Sequence, residues 1–225
     1  MRAEGRSRGE ESVDPLRGKL MQLKSRGCNL LVTGAVSESV TARATQRLLG
    51  SPVEDRKRLV TLTEAPTRGV DARLPIGVSA DDADVRVVER RRADRSTAER
   101  AGHDVSDGDT ELRRLERDIS RAIDSFDDGS GFAPSELRLS VDSLGTLSET
   151  YETPQVCGFL RRVCDVVEDR KGMGHYHLSL PDDSPRVDQF EHVFDARIEL
   201  RQREPYGPEQ RWHVPGYGTT GWIQI

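Results

Sequence analysis

Apolar residues follow two spacings along the chain. The apolar run "CNLLVT" at 28–33 is typical of a strand buried on both faces, and "LRLSVD" at 137–142 is predicted to be another buried strand. Between such runs, segments such as "TELRRLERDISRAIDSFD" at 110–127 place their apolar residues on one side of a helix. Strands that alternate with helices predict an α/β fold with a mainly parallel central sheet, flanked by helices on both faces.

The same patterns, with the turn residues between them, predict the individual elements. Helices are expected at 15–26, 39–49, 110–127, 153–171 and 184–195. Strands are expected at 28–33, 59–63, 84–89, 137–142, 174–181 and 196–204, and "EQRWHVPG" and "GWIQI" predict an antiparallel C-terminal end of the sheet. We expect the first, second and fourth of these strands to be parallel neighbours, with Gly34, Glu64 and Asp142 at their C-terminal ends.

The composition fits one domain with polar extensions. Of the 225 residues, 34% are hydrophobic and 32% are charged, which suffices for a single α/β core. Residues 1–13 and about 90–109 carry little apolar side chain, so we expect a disordered N-terminal tail and a flexible charged loop. Residues 14–225 then form a single domain. The sequence has neither an apolar run of membrane-spanning length nor a secretory signal, so we expect a cytoplasmic protein with no membrane partner.

Several residues with reactive or metal-binding side chains are expected to be structural. The net charge of −5 disfavours wrapping by nucleic acid. His175 and His177 share one face of a strand, but no third ligand has the spacing of a metal site. The odd number of cysteines argues for reduced thiols, and the tryptophans are expected to be core or interface anchors: Cys28, Cys157, Cys164, Trp212 and Trp222.

The turn after the first buried strand carries a degenerate phosphate-binding motif. Aligned with GxxxxGK[ST], "GAVSESVT" keeps the first glycine, Gly34, and the hydroxyl, Thr41. Ser39 stands at the second glycine and Val40 at the lysine, whose bonds to phosphate are worth roughly 1.5–3 kcal/mol each. The loop should therefore bind nucleotide weakly. An ordinary strand-to-helix turn, capped by Ser37 or Ser39, is the structural alternative.

Four stretches, taken in order, resemble the RecA superfamily and, within it, the KaiC-like ATPases. They are "LVTGAVSESVT", "LVTLTEA", "LRLSVDSL", and "GMGHYHLSL" with "VFDARIELR". The chain is most similar to the short, degenerate KaiC-like proteins of haloarchaea. The resemblance covers roughly residues 14–65 and 131–202 and leaves 66–130 unassigned. It implies a RecA-like P-loop architecture for the predicted α/β fold.

The resemblance implies roles for the residues that match the family. Thr41 would contact magnesium, Asp142 would hold the magnesium-bound water, and Glu64 would be the general base, with Thr63 at the family's other glutamate position. The phosphate loop would consist of Gly34, Ser37, Ser39 and Thr41. Because the lysine and the second glycine are missing, we expect a non-catalytic regulatory or signalling module that holds no cofactor. It would act through a protein partner or through self-association, as a monomer or dimer.

Two alternatives stay open. A slow ATPase or nucleotide-binding switch would hold ATP and magnesium in the degenerate loop and use Thr41, Glu64 and Asp142. A nucleic-acid binder would act through the basic cluster Arg90–Arg95. Acidic residues dilute that cluster and no aromatic residue interleaves it to stack on bases, so nucleic acid is the less favoured partner.

Overall fold

The computed structural model describes residues 13–64, 69–90 and 105–225. The strands are β1 Cys28–Thr33, β2 Lys57–Leu62, β3 Val85–Glu89, β4 Leu137–Asp142, β5 Met173–Leu178, β6 Ala196–Arg203, β7 Gly207–Val214, β8 Gly218–Thr219 and β9 Ile223–Gln224. The helices are α1 Val13–Arg26, α2 Glu38–Leu48, α3 Val105–Asp124, α4 Leu144–Thr150, α5 Thr153–Asp169 and α6 Pro185–Glu191, with a 3-10 helix at Val70–Arg73.

The strands form one sheet in the order β3-β2-β4-β5-β1-β6-β7-β8, and β9 pairs with β7. The pairs from β3 to β6 are all parallel, whereas β7 runs antiparallel to β6 and to the two short last strands. This order confirms an α/β fold with a mainly parallel central sheet and an antiparallel C-terminal end.

The predicted adjacency of three buried strands is wrong in one respect. β2 and β4 are neighbours, but β5 lies between β4 and β1 and pairs with both. An apolar run marks a strand as buried but contains no information about which strand lies beside it. Because all four strands are parallel, their C-terminal ends still meet at one edge of the sheet, which we call the carboxyl edge.

Alternate residues of the central strands pack into cores on opposite faces of the sheet. Leu31 belongs to the larger core, where it is buried with Ile119 of α3 and Phe159 of α5. Its neighbour Leu30 belongs to a second core on the other face, together with Leu23 of α1. This period of two follows from strand geometry, and it places helices on both faces as predicted.

The ends of the predicted flexible segments need correction. α1 begins at Val13, and α3 begins at Val105, so part of the segment expected as a loop at 90–109 is helical. A polar first turn carries no apolar periodicity, so the pattern begins later than the helix. Residues 1–12 and 91–104 lie outside the described residues. None of the helices in the described ranges has the length and apolar character needed to cross a membrane.

Candidate functional site

The carboxyl edge gathers most of the residues that the sequence singled out. Gly34 follows β1 directly, Asp142 is the last residue of β4, and Glu64 follows β2 after one further residue. Helix α2 begins at Glu38, so the predicted phosphate loop connects β1 to the helix on one face of the sheet. The carboxyl ends of parallel strands are where α/β sheets most often hold ligands.

Arg73, which the sequence analysis did not single out, lies at the centre of this edge. Its side chain is 4% exposed, and its Nε donates to Oδ2 of Asp142 at 2.5 Å. Its Nη2 donates to Oε1 of Glu38 at 3.1 Å. The guanidinium therefore bridges the end of β4 and the first residue of α2. It supplies a positive charge beside the carboxylate that the resemblance associates with magnesium.

Val40, at the position of the missing lysine, belongs to the apolar core. It is 4% exposed and packs in the second core, which also contains Val32 of β1 and Leu200 of β6. A lysine placed here would bury its ammonium group in an apolar environment, at a cost that proteins rarely tolerate without a partner. The side chain at this position is therefore used for packing.

The fold requires glycine at position 34 for a reason that does not involve phosphate. Its φ is +120°, and a Cβ added to it would lie 2.3 Å from the carbonyl oxygen of Leu200 on β6. Its amide donates to the carbonyl of Leu180 at 2.8 Å. The absence of a side chain thus lets β6 approach the turn closely.

Replacing Gly34 by alanine should lower the free energy of unfolding by about 2–3 kcal/mol, because the new methyl group adds overlap with β6 to an unfavourable φ. Gly77 provides the matched control: its φ is +89°, but nothing lies within 4 Å of an added Cβ. Gly77→Ala should cost only about 1 kcal/mol. Urea denaturation of both variants measures the difference, and equal losses would contradict the role assigned to the Leu200 contact.

The other residues of the loop bond mainly to one another. Ser37 is the N-cap of α2 with φ −66° and ψ 153°, but its side chain makes no capping bond to an amide. Its hydroxyl pairs with that of Ser39 at 2.9 Å. Thr41 is 6% exposed, and its hydroxyl lies 3.5 Å from the carbonyl oxygen of Ser37. The prediction that Ser37 is the N-cap residue is therefore confirmed, but the expected capping bond from its side chain is not formed.

The residues after β2 tie that strand to the segment that follows β4. The Thr63 hydroxyl donates to the carbonyl of Ser143 at 2.6 Å and accepts from the Ser143 amide at 2.5 Å. Glu64 is exposed, and its Oε2 accepts from the Thr146 hydroxyl of α4 at 2.7 Å. Thr63 thus has a structural role at the position where the family resemblance implies a glutamate.

Residues 27–200 match the model of a family of unknown function, DUF7504. The chain belongs to this family. The matched range extends from the residue before β1 into β6, so it contains Gly34, Arg73 and Asp142 and hence the whole carboxyl edge. A comparison with curated proteins finds no match.

Two buried histidines extend the polar part of this DUF7504 domain beneath α2. His175 and His177 are 2% and 1% exposed, and their rings meet edge to face at 5.4 Å. Nε2 of His177 pairs with the Thr45 hydroxyl at 3.0 Å. Burial lowers the pKa of His177 to about 4, with Asp142 opposing and Arg73 adding to the shift, and burial also holds the pKa of His175 well below 6.5. Both imidazoles are therefore neutral at pH 7.

A second polar cluster lies beyond β1 in the same domain. Oxygen or nitrogen ligand atoms of Asp182, Glu199 and His213 lie within 4.8 Å of one another. Arg197 forms an ion pair with Asp182 at 3.4 Å, and Arg211 forms one with Glu199. The two guanidinium groups already compensate the two carboxylates, so the cluster requires no metal ion for charge balance.

The basic cluster at 90–95 is only partly described. The Arg90 side chain is 5% exposed, pairs with Glu111 at 3.2 Å and donates to the Tyr151 hydroxyl at 2.9 Å. Residues 91–95 lie outside the described residues. Because Arg90 is buried against α3 and Tyr151, this arginine does not contribute to a nucleic-acid surface, and the prediction that included it is wrong at that position.

Proposed function

We propose that this chain is a RecA/KaiC-like domain that has lost ATPase chemistry and acts as a regulatory or signalling interaction module. The observation that carries the proposal is the Arg73 guanidinium, which bridges Asp142 and Glu38 at the carboxyl edge. An internal cation at this place does what magnesium and a loop lysine would do in an active site, without a nucleotide.

The topology supports the RecA-like assignment. The turn that resembles a P-loop follows β1, which lies inside the sheet between β5 and β6. The acid that resembles the Walker B residue ends β4, separated from β1 by one strand. Both therefore lie at the carboxyl edge, where a nucleotide phosphate would have to contact the helix N-terminus and the acid together.

The charges at this edge oppose phosphoryl transfer. Such transfer depends on positioning and on positive charge that stabilises the transferred group. Val40 is packed in the core, and Glu38 brings a carboxylate to the start of α2, where a phosphate would approach. Magnesium would have to compete with the buried Arg73 for Oδ2 of Asp142. We therefore infer that the Glu38 carboxylate would repel a nucleotide phosphate and that the Arg73 side chain already occupies the place of the metal ion.

A module without catalysis must act by binding. Ile76 is 88% exposed. It lines a shallow depression beside α2 together with Ala42 and Ala72. We propose this exposed isoleucine as a contact for a protein partner or a second copy of the chain. This surface supports the interaction role. Two of its residues, Ala72 and Ile76, belong to the same segment of the chain as Arg73.

ATP binding and turnover test the proposal directly. Losing two or more charged hydrogen bonds should weaken ATP binding from micromolar to millimolar or worse, so calorimetry with and without magnesium, in low and high salt, should show no saturable heat below about 1 mM. ATP turnover should not exceed background. Magnesium-dependent hydrolysis that is lost in Asp142→Asn but kept in the exposed control Asp165→Asn would overturn the proposal.

A nucleotide switch without hydrolysis is the second candidate, and Arg73 itself favours it. A guanidinium can pair with phosphate oxygens in the same bidentate way as with a carboxylate. If Arg73 turned from Asp142 to a phosphate, ATP would bind without magnesium and Arg73→Met would abolish binding. In the proposal above, Arg73→Met removes no nucleotide affinity, so the two candidates give opposite results with the same variant.

A further inference from the structure

A cavity of about 290 Å³ lies at the edge of the sheet opposite the carboxyl edge. It is bounded by the beginnings of β1 and β5, at Cys28 and Met173, and by the end of α2 at Leu48. Trp212 of β7 forms part of the cavity wall. We call it the amino-edge cavity. None of the phosphate-loop residues lines it, so it is separate from the candidate site described above.

The walls of the amino-edge cavity combine apolar surface with an excess of positive charge. Its described lining includes four basic residues and one acidic residue: Lys24, Arg47, Arg56, Arg138 and Glu54. The apolar wall is formed by Leu23, Leu30, Leu48, Met173 and Trp212. Mostly apolar walls with a few convergent charged groups are the usual construction of small-ligand sites.

Arg138 is the most unusual group in this cavity. It is 5% exposed, and its Nε donates to the Ser135 carbonyl at 2.9 Å. Its Nη1 reaches the Leu48 carbonyl at 3.3 Å and the Met173 sulfur at 2.8 Å. No described carboxylate forms an ion pair with it, and Nη2 has no hydrogen-bond partner among the described residues. A buried guanidinium is costly unless a negative charge compensates it.

Neighbouring arginines increase this excess of charge. Arg56 donates to the same Ser135 carbonyl at 2.6 Å, and its ion pair with Glu54 at 3.1 Å uses the one acid of the lining. Arg58, 3% exposed, bonds only to backbone carbonyls among the described residues, including that of Ser51 at 2.7 Å. Burial, followed by the charge of Arg56, lowers the pKa of Arg138 to about 10. The cavity thus lacks negative charge at its most buried point.

We propose that the amino-edge cavity binds a small organic anion, with its carboxylate or phosphate against Arg138 and Arg56 and its apolar body against Leu48, Met173 and Trp212. The anion would accept from the free Nη2 of Arg138 and supply the missing charge, while the chain of the ligand would fill the apolar wall. The ligand is amphipathic because both wall types face the same space.

Fluorescence of Trp212 tests this site. Trp222→Phe leaves Trp212 as the sole tryptophan, and all further variants are made in that background. Four probes separate the contributions: octyl phosphate, octanoate, octan-1-ol and inorganic phosphate. Octyl phosphate, octanoate or both should change the emission saturably with a dissociation constant on the order of 0.1 mM, and calorimetry should show one site per chain. The anion that binds more tightly identifies the headgroup.

Two variants and one control decide whether the charges act as proposed. Arg138→Met should weaken binding at least tenfold, and Arg56→Gln, whose side chain is partly exposed, provides an independent test if Arg138→Met does not fold. Arg186→Gln, exposed on α6, should bind as the parent does. The proposal is overturned if octan-1-ol binds as tightly as the anions, if inorganic phosphate alone matches them, or if no probe gives a saturable change.

Discussion

Replacing Arg73 by methionine should lower the free energy of unfolding by about 3–5 kcal/mol, the usual cost of removing one partner of a buried ion pair. Arg73 is 4% exposed and Asp142 8% exposed, so the substitution leaves a carboxylate with little water around it. Methionine keeps most of the side-chain volume, which limits the cavity contribution. Denaturation by guanidinium chloride or urea at neutral pH measures this loss of stability.

Two comparisons separate this effect from a general loss of packing. The double variant Arg73→Met with Asp142→Asn removes both charges and should recover much of the stability. Arg170→Met, which breaks an exposed ion pair with Asp124, should cost less than about 1 kcal/mol. If Arg73→Met lowers the free energy of unfolding no more than this exposed control does, the ion pair of Arg73 with Asp142 does not stabilise the carboxyl edge.

The same variant reveals whether Arg73 occupies the place of a cation. With the guanidinium gone, the carboxylates of Asp142 and Glu38 lose the positive charge that bridges them near the start of α2. Magnesium should then stabilise Arg73→Met by about 1.4 kcal/mol at tenfold excess over a millimolar dissociation constant, and it should leave the parent chain unchanged. Equal magnesium effects on the two proteins would show that the guanidinium and the metal do not compete.

Acid should destabilise the folded chain by about 4 kcal/mol between pH 7.5 and pH 5, through the two buried histidines. In the unfolded chain each imidazole binds a proton as the pH falls through 6.5, whereas His177 stays neutral in the fold until about pH 4 and burial holds the pKa of His175 well below 6.5. The unfolded state therefore binds more protons in this window. Each histidine then removes about 1.4 kcal/mol of stability per pH unit below 6.5.

Single substitutions assign this pH dependence. His177→Gln and His175→Gln should each reduce the difference in stability between pH 7.5 and pH 5 by about half, whatever their effect at neutral pH. His192→Gln, exposed at the end of α6, should leave the difference unchanged. Unfolding free energies that stay constant from pH 7.5 to pH 5 would mean that the buried imidazoles accept protons in the folded state.

Local patterns predicted the elements but not their ends. The apolar residues of β1, β2 and β4 located these strands within two residues, although buried polar side chains such as Asn29, Arg58 and Arg138 interrupt them. The short helix Leu144–Thr150 and the 3-10 helix Val70–Arg73 were not predicted. Each is too short for a clear helical period, so tertiary contacts, not an apolar stripe, hold it in place.

The candidate site shows a similar division. The sequence correctly marked the turn at Gly34 and the strand end at Asp142 as residues of one edge, because parallel strands end together. It did not reveal Arg73, which reaches Asp142 across 69 residues from a segment without periodicity or motif. A single arginine in a short irregular stretch carries no signal that separates an exposed side chain from a buried counter-ion.

The sequence by itself determined the alternation of strands and helices, the mainly parallel sheet and the difference of the turn after β1 from GxxxxGK[ST], because these depend on residue type and local spacing. Tertiary structure alone decided that β5 separates β4 from β1, that Val40 packs in the core, and that Arg73 neutralises Asp142. It alone assembled the amino-edge cavity around Arg138. Strand order and ion pairing depend on which distant segments meet, and the free energy of those contacts exists only after the chain has folded.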